Sequence, residues 1–382
     1  MDLGFHQAGL HGVRSIDFDK VALQNLEANL GTQATCMNLG EFGDEHRELL
    51  EGADIILAGP PCQGFSTAGR NDPDDYRNDH VWNVARIAGL VKPKVVLIEN
   101  VRGLLNPKNA KHFEKTISVL RQHGYTVSWD TYNLMDYGIA QRRVRVIIMA
   151  VLSDRRFQLQ IPNRELVSIK SALNEVEKVK DFEKRDLDPS SDEMLIAKQI
   201  APGQKLSNVR SGPASVHTWD IPKVFGSVTE QEKKVLAAVV RLRRQKRTRD
   251  FGDADPVAES EIQKIFKCDT SALVASLISK NYLRRVGLEI DLTNTFNGKF
   301  RRLKWDDVSP TVDTRFGQPR YFLHPCENRG FSYREAARIQ SFPDSFIFSG
   351  SDAAKYRMIG NAVPPNFARQ IADLIISNWA SL

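Results

Sequence analysis

A chain of 382 residues, 41% of them hydrophobic, can bury a substantial core and calls for two lobes or one large domain carrying an insertion. No apolar run is long enough to span a membrane, and the opening MDLGFHQAGL lacks the basic region and cleavage pattern of a secretory leader. The net charge of +6 is spread unevenly, concentrated in RLRRQKRTR (241–249) and KFRRLK (299–304); a basic run is more often a solvated face, and two within one segment raise the odds of a polyanionic partner such as nucleic acid.

In chain order, DIILAG (54–59) and KVVLIENV (94–101) are short apolar runs of the buried parallel-strand type, with a crossover helix expected at 82–91 between them. YTVSWDTYNL (125–134) and RVRVIIMAVL (143–152) follow with no long helix between them, which predicts an antiparallel pair at a sheet edge. The pattern is that of a doubly wound, Rossmann-like α/β sheet, in which ligands sit outside the carboxyl ends of the strands. Residues from about 160 to 215 are polar and read as the surface-running entry to a second module. Thr229 and Glu232 have capping-box spacing at the start of TEQEKKVLAAVVRL (229–242). Helices at 260–266 and 269–280 come next, then a basic hairpin whose turn is expected at Asn297-Gly298. Three helices and a hairpin suggest a winged helix-turn-helix; an ordinary α+β insertion is the alternative, and the clustered cations favour the DNA-reading version. The final amphipathic helix starts near Pro364 and Pro365.

The four cysteines (36, 62, 268 and 326) form no CxxC pair and have no histidine at ligand spacing, so no metal site is expected and a reducing cytoplasm fits. Cys62 stands out, because GPPCQGFS (59–66) places it just beyond a strand, stiffened by two prolines and relaxed by Gly64. A buried, inert thiol is the default for a lone cysteine. Glu99 falls at the neighbouring strand end, where it can hold a proton or merely pair with a cation. Arg142, Arg143 and Arg145 can clamp phosphate or form surface salt bridges. Together these residues describe a site with a nucleophile, a carboxyl group for a ring nitrogen and cations for a backbone.

The ordered set GPPCQGFS, ENV (99–101), QRRVR (141–145), REAARIQSFP (334–343) and GNAVPP (360–365) strongly resembles the DNA (cytosine-5)-methyltransferases of bacterial type. The resemblance implies a catalytic α/β lobe at 1–160, a target-recognition domain at 161–300 and a return segment at 301–382 that completes the lobe. It implies methyl transfer from S-adenosylmethionine to C5 of a cytosine flipped out of duplex DNA, through a covalent adduct of Cys62 at C6. Glu99 would bind the ring's N3 and amine, and Arg143 and Arg145 would orient the flipped nucleotide. The cofactor would be lined by Asp17, Phe18, Asn38, Leu39, Pro61, Asn361 and Val363. Gln63 and Ser66 on the loop, with Arg243, Arg244, Lys246 and Arg247 in the insertion, would meet DNA. The family also suggests a cytoplasmic, nucleoid-associated monomer with a cognate restriction endonuclease as partner.

Two features depart from the family. GFHQAGL already corresponds to the family's first helix, so the preceding strand and glycine-rich DLFxGxGG loop have no counterpart here, and their absence would leave sheet backbone unpaired. Asn38 stands where an acid often accepts from the adenine amine. Two alternatives therefore remain beside the active enzyme: a catalytically silent DNA-binding relative, and an RNA cytosine-5 methyltransferase.

Overall fold

The computed structural model describes the chain except residues 62–64, 66–75, 156, 246 and 249–253. It divides into two compact units. One comprises Met1–Phe182, Asp306–Arg315 and Tyr333–Leu382; the other comprises Glu183–Trp305 and Phe316–Ser332. The first border lies some twenty residues beyond the sequence expectation of 160, because the stretch before it is tied to the first unit. There Ile169 N–H donates to the Asp307 carbonyl, and Asp181 pairs with the buried Arg334.

The first unit begins with α1 (Asp2–Gln7), β1 (Ser15–Asp17), α2 (Lys20–Leu30) and β2 (Ala34–Cys36). It continues through β3 (Ile55–Ala58), α3 (His80–Val91), β4 (Val95–Val101), α4 (Ala110–Gln122), β5 (Thr126–Asn133), β6 (Gln141–Arg142) and β7 (Val144–Val151). The main sheet has the order β3-β4-β7-β5: β3 and β4 run parallel, while β7 is antiparallel to both its neighbours. The four apolar runs thus form strands within a residue or so of their sequence limits. The sheet is mixed rather than all parallel, because β7 returns between β4 and β5.

Alternate residues of β4 and β7 feed two cores. Val95, Leu97, Ile147 and Met149 face one side; Val96, Ile98, Val146 and Ile148 face the other, under the apolar stripe of α3 and under α4. Each fully buried Ile or Val contributes roughly 1.5–3 kcal/mol through loss of apolar surface. β1 and β2 form a parallel sheet of their own, and no strand among the described residues pairs with the free side of β3.

In the second unit, α5 (Glu230–Gln245), β8 (Val257–Ala258), α6 (Glu259–Phe266), α7 (Ser271–Ser279), β9 (Leu283–Val286) and β10 (Glu289–Leu292) share one core. The sheet order is β8-β10-β9, antiparallel throughout. The Thr229–Glu232 capping box is present, with Thr229 N–H donating to Glu232 and Glu232 N–H donating to Thr229 Oγ1. The hairpin turn is not at Asn297-Gly298. It is Gly287-Leu288, which links Val286 to its partner Glu289, with Gly287 at φ +61°. Asn297–Lys299 is instead a bulged strand paired with Lys205–Ser207, and Gly298 takes φ +120° there.

The chain then returns to the first unit as α8 (Tyr333–Ile339), α9 (Asp352–Asn361) and α10 (Pro365–Ser377). Phe367, Ile371 and Ile375 of α10 close the first core. Gly4 of α1 lies so close to α10 that a Cβ there would sit 2.4 Å from the Pro365 carbonyl oxygen.

Candidate active site

β4 carries the acid. Glu99 is buried near the strand's carboxyl end, where the antiparallel register pairs Val101 with Arg145 and so places Glu99 and Arg145 diagonally on one face. Arg145 Nε lies 2.8 Å from Glu99 Oε1. Among the described residues that oxygen accepts no aligned hydrogen bond, so the charge of Arg145 holds it in place. Next to it, Asn100 donates from Nδ2 to the Pro60 carbonyl and fixes the start of the GPPC loop. Phe65, fully buried, anchors the loop again: its carbonyl oxygen would lie 1.9 Å from a Cβ on Gly103, so Gly103 must be glycine for this approach. Cys62, Gln63 and Ser66 lie outside the described residues. Pro61 is partly buried.

Arg143 does not join Glu99. It is 2% exposed, and its guanidinium donates to the carbonyls of Val312, Gly360 and Ala362 at 3.0–3.2 Å. The nucleotide-orienting role expected for Arg143 is therefore corrected: its donors are turned inward onto the GNAVPP loop. Gln141 and Gln340 complete this frame. Gln141 accepts from Val312 N–H and donates to Gln340, and Gln340 donates to the carbonyls of Ile359 and Ala362. Asn361 is exposed at the end of this loop and Val363 is buried in the core.

The ends of β1 and β2 bring Asp17, Phe18, Asn38 and Leu39 together, since Met37 N–H bonds to the Asp17 carbonyl. Phe18 presents a ring that is 73% exposed. Desolvation raises the Asp17 carboxyl above its usual range, against the backbone N–H groups of Asp19 and Phe18, which favour its charge. Asn38 Oδ1 accepts from Gly40 N–H at 3.0 Å, and Leu39 packs on the second core. A Cβ on Gly40 would lie 3.5 Å from both Asn38 Oδ1 and His80 Cε1 and 3.9 Å from Asn83 Nδ2, so three polar residues meet over the Gly40 backbone. Burial lowers His80 against the pull of Asp79. His80 was not singled out from sequence, because nothing local distinguishes a histidine that opens a helix.

In the second unit, Arg243 is buried and its Nε donates to Asp291 Oδ1 at 2.6 Å. This corrects its expected contact with DNA. Arg244 and Arg247 are exposed, and Lys246 lies outside the described residues. Arg302 of the second basic run is likewise buried, donating to the carbonyls of Ala197, Ile200, His324 and Glu327. Among the described residues no cluster of three metal-ligating side chains occurs, and no helix is long and apolar enough to cross a membrane.

A buried acid–arginine pair at strand ends, beside a loop pinned on both flanks, defines an α/β enzyme that works at the carboxyl edge of its sheet. Residues 1–377 match the family model for C-5 cytosine-specific DNA methylase. The chain is 30% identical to Type II methyltransferase M.Sau96I of Staphylococcus aureus, over 98% of this chain and 72% of that protein. It is 27% identical to Type II methyltransferase M.HgiBI of Herpetosiphon aurantiacus, over 95% and 91%. Among solved structures, a DNA modification methyltransferase encoded within an E. coli prophage is similar at a TM-score of 0.57 and 21% identity, over 99% of this chain and 95% of that one. S. pombe Dnmt2 methyltransferase is similar at 0.53 and 16%, over 99% and 95%; these two likenesses show the fold. The chain belongs to the C-5 cytosine-specific DNA methylases, and with them it is a DNA (cytosine-5)-methyltransferase.

Proposed function

We propose that this chain methylates C5 of a cytosine flipped out of duplex DNA, with Cys62 as the nucleophile and S-adenosylmethionine as the methyl donor. The observation that carries the reading is the Glu99–Arg145 pair, buried at the end of β4 beside the Asn100–Pro60 tie. Attack of the Cys62 thiolate on C6 pushes electrons toward C5 and the ring. Glu99 supports that shift by hydrogen bonding to N3 and the amine, while Arg145 fixes the carboxylate's position. C5 takes the methyl group; loss of the C5 proton and expulsion of the thiolate restore the ring. When bound, the cofactor supplies an electrophilic methyl on a sulfonium.

The residues present suit that cofactor. The bare Phe18 ring offers a stacking face, Asn38 Oδ1 keeps a lone pair for an amine, and Gly40 leaves space that a side chain would fill. In the second unit, three helices followed by the β9–β10 hairpin support a winged-helix module that positions on phosphate and reads the major groove, in a monomer acting in the cytoplasm beside a cognate endonuclease. The long recognition module favours duplex DNA over RNA. A second reading rests on the separation of the β1–β2 sheet from β3: a chain that binds DNA without transferring methyl groups.

Transfer of labelled methyl to duplex DNA and to tRNA, measured beside DNA binding, tests these readings. Cys62→Ser is expected to abolish transfer and keep binding. Retained transfer by that variant would end the covalent mechanism, and binding without transfer by the native chain would favour the silent relative.

A further inference from the structure

The second unit carries a trough whose apolar lining the chemistry of methyl transfer does not use, although Arg244 at its rim is also an expected DNA contact. Along α5, Lys234, Arg241 and Arg244 line this trough of about 820 Å³ together with an apolar bed formed by Ala237 of α5 and by Ile265 and Phe266 at the end of α6. Lys234, Arg241 and Arg244 are exposed and make no ion pair with any described residue, whereas their neighbours Lys233 and Arg243 pair with Glu230 and Asp291. Ile265 is 38% exposed and Ala237 is exposed, so apolar surface faces solvent along the trough.

We propose that this trough docks an acidic, amphipathic helix of a partner protein. The combination decides the occupant. Three unpaired cations around an apolar bed complement carboxylates flanking an apolar ridge, the geometry of helix-in-groove recognition with anchors at i, i+3 or i+4, and i+7. A DNA backbone would satisfy the cations and leave the bed of Ala237, Ile265 and Phe266 without a filling group, since the phosphate ridge is polar and needs no concave apolar seat. Burial of Ile265 and Phe266 supplies affinity, and the cations supply orientation and association rate.

The test displays two libraries of helical peptides to the full-length protein. Both carry Leu, Phe or Met at i, i+3, i+4 and i+7; one carries Glu and Asp elsewhere, the other Gln and Lys. Acidic peptides are expected to be enriched, and fluorescence anisotropy should show their binding weakened at least tenfold by Ala237→Trp, which fills the bed, and by Arg241→Glu with Arg244→Glu. Circular dichroism verifies that the variants fold, and duplex-DNA binding is measured alongside. Failure to enrich acidic peptides, or binding indifferent to Ala237→Trp, overturns the proposal. So does a loss of DNA affinity in both the charge-reversed and the Ala237→Trp variants with no peptide effect, which would make the trough a DNA-contacting surface.

Discussion

Replacing Arg143 by Met keeps the buried volume and removes the donors. Two buried carbonyl groups, of Val312 and Gly360, then lose their donor, whereas the Ala362 carbonyl keeps Gln340. Each buried acceptor left unmatched costs about 1–3 kcal/mol, so the substitution should destabilise the first unit by at least about 2 kcal/mol. A unit of this size shifts in Tm by about 2–4 °C per kcal/mol, which predicts a fall of about 4–8 °C. Thermal melting by circular dichroism reads that shift, and methyl transfer is assayed well below the lowered transition. The folded variant should keep transfer within a few-fold of the parent, because its guanidinium holds the GNAVPP loop and not the base. Arg145→Ala should cost transfer tenfold or more, since Glu99 loses the charge that fixes it, and should lower Tm as well, since a buried carboxylate is left without its counter-charge. An unchanged Tm with abolished transfer in Arg143→Met would refute this assignment and return Arg143 to the nucleotide.

Further outcomes follow from the same geometry. Burial pushes the Glu232 carboxyl up, but hydrogen bonds from Lys280, Ser276 and Thr229 override it and hold the folded value at about 2, against 4.5 in the unfolded chain. Its stabilisation, roughly 2–3 kcal/mol, is complete above pH 4.5 and is lost as pH falls toward 2; urea midpoints of native protein and Glu232→Gln should therefore converge through that window. Gly360→Ala puts a methyl 2.6 Å from the Asp313 carbonyl carbon and 2.7 Å from Thr314 nitrogen, and should cost about 1–3 kcal/mol in denaturant unfolding, whereas Gly59→Ala, whose Cβ meets none of the described residues within 4 Å, should not. Arg247→Glu should weaken binding to duplex DNA of any sequence and reduce its salt slope by about one or more, while Arg243→Ala should lower the melting temperature by breaking the pair with Asp291.

The strands were legible because runs such as VVLIEN and VRVIIMAV are apolar on both faces, and only a strand covered by helices on both sides buries them. The pairing of Glu99 with Arg145 was not legible, since it depends on β7 lying antiparallel to β4 in one particular register. Charge runs misled for a related reason. RLRRQKRTR and KFRRLK each contain an arginine turned inward, Arg243 onto a carboxylate and Arg302 onto four carbonyls, and composition alone does not separate such residues from their exposed neighbours. Asn297-Gly298 has ideal turn chemistry yet forms a bulge, because the strand it belongs to pairs with distant Lys205–Ser207 instead of folding back locally.

The contacts of α2 with the 347–349 segment have a consequence for how the chain folds. Asn25 and Asn29 exchange hydrogen bonds with Ser349 and Ile347, partners more than 300 residues away in sequence, and Gly4 rests on α10. Closing so long a loop adds little to the equilibrium cost, which grows only logarithmically, but it slows the search for native contacts. During synthesis the module at Glu183–Trp305 emerges with nearly all of its own core, whereas β4 and β7 wait for α10 before one of their faces is covered. A chain paused before residue 365 would thus hold a largely folded insertion on an uncovered apolar sheet, the state most exposed to aggregation and most dependent on chaperones.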